Sequence, residues 1–489
     1  MPASHQCPSE EFQVEERSVD VAVIGSGTAG LNAIGQIRRA GKSFVLINGG
    51  EPGTTCARVG CMPSKVMIQV AEDSHRLTHP GKYGGDGHRG PTRDGKAVME
   101  HVRDLRDTFV DRVLGNSTDN MPEDLFIRDD AKFVEPTLLA VAGQRIRAGR
   151  VVIATGSRPL VPQAWKAFGE RVLTSDELFE LEDLPTSVAV IGLGTIGLEL
   201  GQSLHRLGVE VTGFDQLTSI GGTQDPEVTA GAIDLLGKEF PIHLGQAAEI
   251  AEEGARLRVT AGENSVLVDR VLCSIGRVPN VERLGLENLG VDLDARGLPA
   301  YDPHSMQVGA LPIFLAGDVN GERRTLHEAG DEGKIAGYNA ARDQVTAFRR
   351  KVPLAINFCD PNICNLGTRW NDLDQETVAV GQIRFAPVGR ALIMGKNKGI
   401  LRVYADRRSG AVLGAEMIAP RGEHLAHLLC WCIEQGLTVG RLLRMPFYHP
   451  VIEEALQAAL YDLYGKVEAR NEGLTELAIL TGAGAGARR

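Results

Sequence analysis

The sequence predicts an α/β chain built on two copies of one strand–helix–strand unit, and three observations carry this. Residues 19–24 form a short apolar run that ends in Gly25-Ser-Gly27-Thr-Ala-Gly30, passes through a helical stretch to Gly41, and returns as a second apolar strand ending at Asn48. The same grammar recurs from Val188, through Gly192-Leu-Gly194-Thr195-Ile-Gly197, to a second strand ending at Asp215. The spacing is also conserved within the chain: Asn48 stands 23 positions after Gly25, and Asp215 stands 23 positions after Gly192. In such a unit the first glycine makes a tight turn, the second lets the backbone approach a pyrophosphate, and the third lets helix pack on strand. The helix N-terminus then faces the phosphates. Two Rossmann-like units of the right length imply two dinucleotides.

The strand-end residues distinguish the cofactors. Asp215 can accept from both adenosine ribose hydroxyls and would repel a 2′-phosphate. Gln216, Leu217 and Thr218 follow it, with no Arg or Lys to receive that phosphate, so NAD is favoured over NADP. Asn48 is neutral and can hydrogen-bond a ribose without the charge.

Between the glycine turns lie Cys56 and Cys61. A thiol pair beside a dinucleotide can pass electrons between a cofactor and a disulfide substrate. Five steps of regular helix advance about 7.5 Å, beyond the roughly 7 Å Cα limit for a disulfide. If the two bridge, Cys56 must sit on a loop or distorted turn leading into the helix. Gly60 permits such a bend, and Pro63 suits a helix start better than its interior.

The bulk numbers agree with a soluble globular protein. The 489 residues exceed one core and suffice for roughly three domains. No run approaches the ~20 apolar residues that span a bilayer. The net charge is −11 with no basic block, which argues against a nucleic-acid partner. Eight cysteines are too few for a secreted disulfide scaffold. Cys359/Cys364 and Cys430/Cys432 lack partners at zinc-ligand spacing, so no metal site is expected. The first 18 residues are acidic with no apolar run, unlike a secretory or transit signal. They read as a disordered leader, residues 471–489 as a flexible tail, and the cytoplasm as the expected compartment.

Together these motifs resemble the pyridine nucleotide–disulfide oxidoreductases and, within them, the dihydrolipoamide dehydrogenases. The likeness runs from Val19 to Lys466 and keeps the family's order. It comprises the first glycine turn, the cysteine pair, Ala154-Thr155-Gly156-Ser, the second turn, Ser274-Ile-Gly276-Arg-Val-Pro-Asn, Ala316-Gly-Asp318, and His449-Pro-Val-Ile-Glu-Glu454. It implies a split FAD-binding domain (19–157 and 279–347), an NAD-binding domain (158–278) and a C-terminal α+β dimerisation domain (348–470), hence a homodimer. FAD would be held by Gly25, Gly27, Gly30, Asn48, Thr55, Lys65, Ala131, Thr155, Gly156, Asp318, Leu326 and His327. NAD would be held by Gly192, Gly194, Thr195, Gly197, Asp215 and Gly276.

Thr325-Leu-His-Glu328 reads as a capping box that starts a helix, with Thr325 the N-cap and Glu328 the reciprocal acceptor. Pro450 suits the first helical position, which leaves His449 at the helix mouth with Glu454 about a turn further in. A histidine oriented by a carboxylate is suited to take a proton near neutral pH.

By the resemblance, Lys65 and Glu199 form an ion pair beside the flavin, and His449 with Glu454 serves as base toward the partner chain's disulfide. The implied reaction oxidises free or protein-bound dihydrolipoamide with NAD+ through Cys56–Cys61 and FAD. A 2-oxo acid dehydrogenase or glycine cleavage complex would be the possible recipient. The alternatives are another disulfide reductase of the family, or a flavin-bound redox sensor or structural partner. Three positions depart from the family pattern: Asn48 for an acid, Thr54 for a glycine, and Phe447-Tyr448 for smaller or polar residues.

Overall fold

The computed structural model describes residues 16–78 and 94–480. The chain divides into two compact units, one made of the chain up to Arg58, Arg106–Arg158 and Arg277–Arg350, the other of Val59–Leu105, Pro159–Gly276 and Lys351 onward.

In the first unit, the strands Phe44–Ile47, Glu16–Ile24 and Gln144–Ile153 pair in parallel, with Ile313–Leu315 joining Gln144–Ile153. An antiparallel arm, Ala131–Glu135 and Leu138–Val141, extends the sheet. Val21, Val23, Leu46, Val152 and Phe314 are fully buried, as expected of parallel strands covered on both faces. The helices Thr28–Arg39 and Leu326–Ala340 pack so closely that a Cβ on Gly333 would lie 2.2 Å from the Ala29 carbonyl oxygen. One on Gly337 would lie 2.4 Å from that of Ala33.

The second unit repeats the parallel pattern with Ile242–Leu244, Glu210–Asp215, Ser187–Ile191, Arg270–Cys273 and Val172–Leu173. It adds a three-stranded antiparallel sheet, residues 249–268, and a five-stranded antiparallel sheet, residues 354–419. The helices Gly422–Glu434 and Glu454–Tyr464 cover the latter, and Leu401, Val403, Met417, Leu429 and Leu460 fill the core between.

Several boundaries differ from expectation. The first strand begins at Glu16, inside the expected leader, where Glu16 Oε1 accepts from Arg147 Nε at 2.7 Å. The rest of that leader lies outside the described residues, as do 481–489 of the expected tail. In residues 471–480, Asn471 Nδ2 donates to the Gly440 and Thr475 carbonyls at 2.8 and 2.7 Å. Val59–Leu105 groups with the second unit, because the helix Cys61–Thr78 packs on Thr195–Arg206. Among the described residues no helix is long and apolar enough to cross a membrane.

Candidate functional site

The two glycine turns match atom for atom. In the first, a Cβ on Gly25 would lie 2.2 Å from the Ala154 oxygen, and one on Gly30 would lie 1.9 Å from the Gly25 oxygen. In the second, Gly192 meets the Ser274 oxygen at 2.5 Å and Gly197 the Gly192 oxygen at 1.9 Å. Gly25 and Gly192 also hold φ of +109° and +96°, which only glycine adopts freely. The middle glycines differ in kind. Gly27 and Gly194 face open space, with nothing within 4 Å of a Cβ.

Each middle glycine is also the N-cap of its helix, Thr28–Arg39 or Thr195–Arg206, and neither helix has a side-chain cap. Bare helix amides beside open space fit a pyrophosphate. Thr195 is the first helical residue of the second. Gly156 and Gly276 also face open space. Thr155 Oγ1 and Thr325 Oγ1 are buried without a hydrogen-bond partner, and both belong to the first unit. The first unit thus offers both a phosphate cradle and polar atoms lacking a partner, as a bound dinucleotide requires.

The strand-end residues do more than face a ribose. Asn48 Oδ1 accepts from the Ser26 amide at 3.1 Å, and Asp215 Oδ2 accepts from the Leu193 amide at 2.6 Å. Both bonds span 22 positions and clamp the turn that follows the first strand. Asp215 Oδ1 accepts from the Leu217 amide at 2.9 Å. Two of the roughly four acceptor sites of the carboxylate remain. Asn48 Nδ2 donates to the Gly50 carbonyl, so its side chain turns back on its own loop.

Asp318 begins the short 3-10 turn Asp318–Asn320, and its Oδ2 accepts from Ser157 Oγ at 3.2 Å. Arg277 Nε donates to that same Oγ at 2.8 Å. Asn280 Nδ2 holds the Thr155 carbonyl at 3.0 Å. Ala131 opens the antiparallel arm and is buried. Leu326 and His327 are the first residues of Leu326–Ala340 and are exposed.

The capping box does not form. Thr325 is the N-cap but makes no side-chain cap hydrogen bond. The buried Glu328 carboxylate is taken by Arg323 at 2.9 Å and Arg350 at 2.6 Å. Two guanidiniums outcompete one amide for a buried anion.

Cys56 lies in a short helix, Thr55–Val59, not on a loop. The helix breaks at Gly60, and a new one, Cys61–Thr78, starts at the second cysteine, with Pro63 in its first turn. The predicted distortion is therefore a break between two helices. Thr55 is exposed at the first start, Cys56 is half-buried and Cys61 exposed.

One turn beyond Cys61, Lys65 Nζ lies 2.7 Å from Glu199 Oε2. Glu199 is 4% exposed, and its Oε1 accepts from the Phe358 amide at 2.8 Å. Lys65 also stands 4.7 Å over the Phe358 ring. Phe358 carries no sequence signal for this role, being 159 positions from Glu199.

His449 Nδ1 lies 2.8 Å from Glu454 Oε1. A carboxylate only accepts, so Nδ1 carries a proton, which makes Nε2 the basic nitrogen of the neutral ring. The ring is 81% exposed. Glu454 Oε2 accepts from the Val451 amide at 3.1 Å, and His449 holds the Glu454 carboxyl below the usual range. The helix begins at Glu454, not at Pro450, so the carboxylate sits at the helix mouth with the histidine. Among the described residues no cluster of three or more His, Cys, Asp or Glu could hold a metal.

Residues 19–333 match the model of the pyridine nucleotide-disulphide oxidoreductases, and 353–460 match that family's dimerisation domain. A dihydrolipoyl dehydrogenase of Thermus scotoductus is 30% identical over 92% of this chain and 98% of its own length. A mercuric reductase of Staphylococcus aureus is 28% identical over 90% and 83%. The HOCl-induced flavoprotein disulfide reductase RclA from Escherichia coli shares the fold, with a TM-score of 0.79 at 22% identity over 92% of this chain and all of that one.

Proposed function

The chain belongs to the pyridine nucleotide-disulphide oxidoreductases, which use FAD and a pyridine nucleotide, and from that premise we propose that it is an NAD-dependent dihydrolipoyl dehydrogenase acting as a homodimer in the cytoplasm. The observation that carries this reading is the His449–Glu454 pair, an exposed imidazole whose ring is oriented through Nδ1 by a carboxylate. A thiol substrate needs such a base, because the thiolate is the competent nucleophile. Curated dihydrolipoyl dehydrogenases at about 30% identity support the substrate class. The carboxylate of Asp215, with no cation in Gln216-Leu217-Thr218, supports NAD over NADP.

His449 of the partner subunit takes the proton of one dihydrolipoyl thiol. The thiolate attacks Cys56 in the oxidised Cys56–Cys61 pair, and Cys61 leaves as a thiolate. The second substrate thiol then displaces Cys56, its proton passing to the departing Cys56 sulfur, and the lipoyl disulfide closes. The substrate has lost two electrons and two protons, and the cysteine pair is reduced. FAD, when bound, supplies the reoxidation of that pair and the transfer of hydride to NAD+. Gly25, Gly27, Gly30, Asn48, Thr155, Gly156 and Asp318 would hold FAD in the first unit. Gly192, Gly194, Thr195, Gly197, Asp215 and Gly276 would hold NAD in the second. A lipoyl-bearing complex is the partner this chemistry calls for.

The purified flavoprotein should oxidise dihydrolipoamide with NAD+. Cys61→Ser should abolish that activity, and His449→Gln should lower kcat by about 10²–10⁴-fold, the usual yield of a general base. Turnover of another disulfide in preference to lipoamide would move the assignment to a different reductase of the family. Bound flavin without turnover of any thiol would favour a redox sensor.

A further inference from the structure

Glu332 is fully buried on the helix Leu326–Ala340. An ionised carboxylate in that position survives only with its oxygens occupied. One of its oxygens, Oε2, accepts from both the Gly317 amide and Asn320 Nδ2, each at 2.7 Å. The other, Oε1, accepts from Arg350 Nη2 at 2.7 Å, and Arg350 also binds Glu328 one helical turn earlier. Gly317 and Asn320 bracket Asp318, so one carboxylate oxygen grips both ends of the Asp318–Asn320 turn.

The support beneath that grip is stiff. The helix bearing Glu332 lies against Thr28–Arg39 through Gly333 and Gly337, where even a Cβ would collide with backbone. Thr28–Arg39 begins at the first glycine turn. Gly317 itself holds φ +84°, and a Cβ there would lie 2.8 Å from that of Ala29. The Asp318 turn is therefore referenced to the phosphate cradle through one buried anion.

We propose that Glu332 is the positioning residue that sets the Asp318 turn to receive the polyol chain of FAD. This rests on Asp318 being a flavin-binding residue, as read above. Without the negative charge, the bonds from the Gly317 amide and Asn320 Nδ2 lose their charge assistance and Arg350 loses its ion pair, so the Asp318 turn is held less firmly. Glu332 touches neither the cofactor nor a reacting atom in this account.

The test is a double-mutant cycle read as FAD affinity of the apoprotein, with the apoprotein Tm followed alongside. Asp318→Asn should weaken FAD binding by about tenfold or more, the worth of one charge-assisted hydrogen bond. Glu332→Gln should weaken it by a similar factor, yet add little in the Asp318→Asn background, because both act through the same contact. Asn320→Ala, which removes one of the two grips, should show the same coupling with a smaller loss and serves if Glu332→Gln does not fold. Losses that multiply in the double variant, or an unchanged affinity in Glu332→Gln, overturn the positioning role and leave Asp318 intact. An unchanged affinity in Asp318→Asn overturns the reading of Asp318 and the proposal with it.

Discussion

Thr54 holds φ at +64°, a conformation that costs a β-branched residue about 1–2 kcal/mol. Its carbonyl accepts from the Arg58 amide at 3.1 Å and its Oγ1 from the Ala57 amide at 3.3 Å, so it launches the short helix that carries Cys56. Thr54→Gly should therefore raise the stability of the holoprotein by about 1 kcal/mol, seen as a higher Tm; a lowered Tm would show that the Oγ1 contact outweighs the strain. At this scale the sequence was partly legible. The departure at Thr54 stood out because glycine has a known use there. His449 and Glu454 were found by spacing, although the helix register around them was not. Lys65 and Glu199 read as ordinary surface positions without the family resemblance, because their bond joins residues 134 positions apart.

Among the elements, Cys61–Thr78 and Thr195–Arg206 are joined through Lys65 and Glu199. Lys65→Met would leave Glu199 buried with only the Phe358 amide. Complete burial of such a pair would make the loss about 3–5 kcal/mol. Lys65 is 34% exposed, so the expected loss is smaller, on the order of 1–3 kcal/mol. Adding Glu199→Gln should restore part of it in denaturant unfolding, and an equal or deeper loss in the double variant would refute the account. The glycine turns were the most legible elements, since three glycines at fixed offsets leave few alternatives. The expected capping box fails to form for a physical reason. A Thr-x-x-Glu string encodes only a local partner, whereas Glu328 is claimed by Arg350, a residue beyond its own helix.

Across the molecule, each compact unit owns a parallel sheet and one glycine turn, which is why the internal repeat forecast the α/β class so directly. Less visible was the buried polar web that ties parts of the second unit together. Glu416 is 1% exposed and accepts from the Gln224 and Asp225 amides at 2.9 and 2.8 Å, while Asp225 is held by Arg402 and Tyr404. Burial pushes the Glu416 carboxyl up to about 7. Its ordinary value is 4.5, so between these values the native state holds a proton that the unfolded chain has released. Stability should fall as pH rises through that window, by up to about 3 kcal/mol from this group, and level off above it. Glu416→Gln should flatten that slope in Tm measured from pH 5 to pH 8; an unchanged slope would remove Glu416 as its source.

The proposed function requires that the Cys56–Cys61 pair exchange electrons with the nicotinamide through the flavin, so that NADH, driving the reaction backwards, reduces the pair. Anaerobic titration of the oxidised holoenzyme with NADH, followed by thiol alkylation and peptide mapping, tests it most directly. New alkylation should appear at Cys56 and Cys61 together only after NADH is added, whereas in Cys61→Ser, which forms no disulfide, Cys56 should be alkylated equally before and after NADH. Consumption of NADH with no new thiol at either cysteine would contradict it.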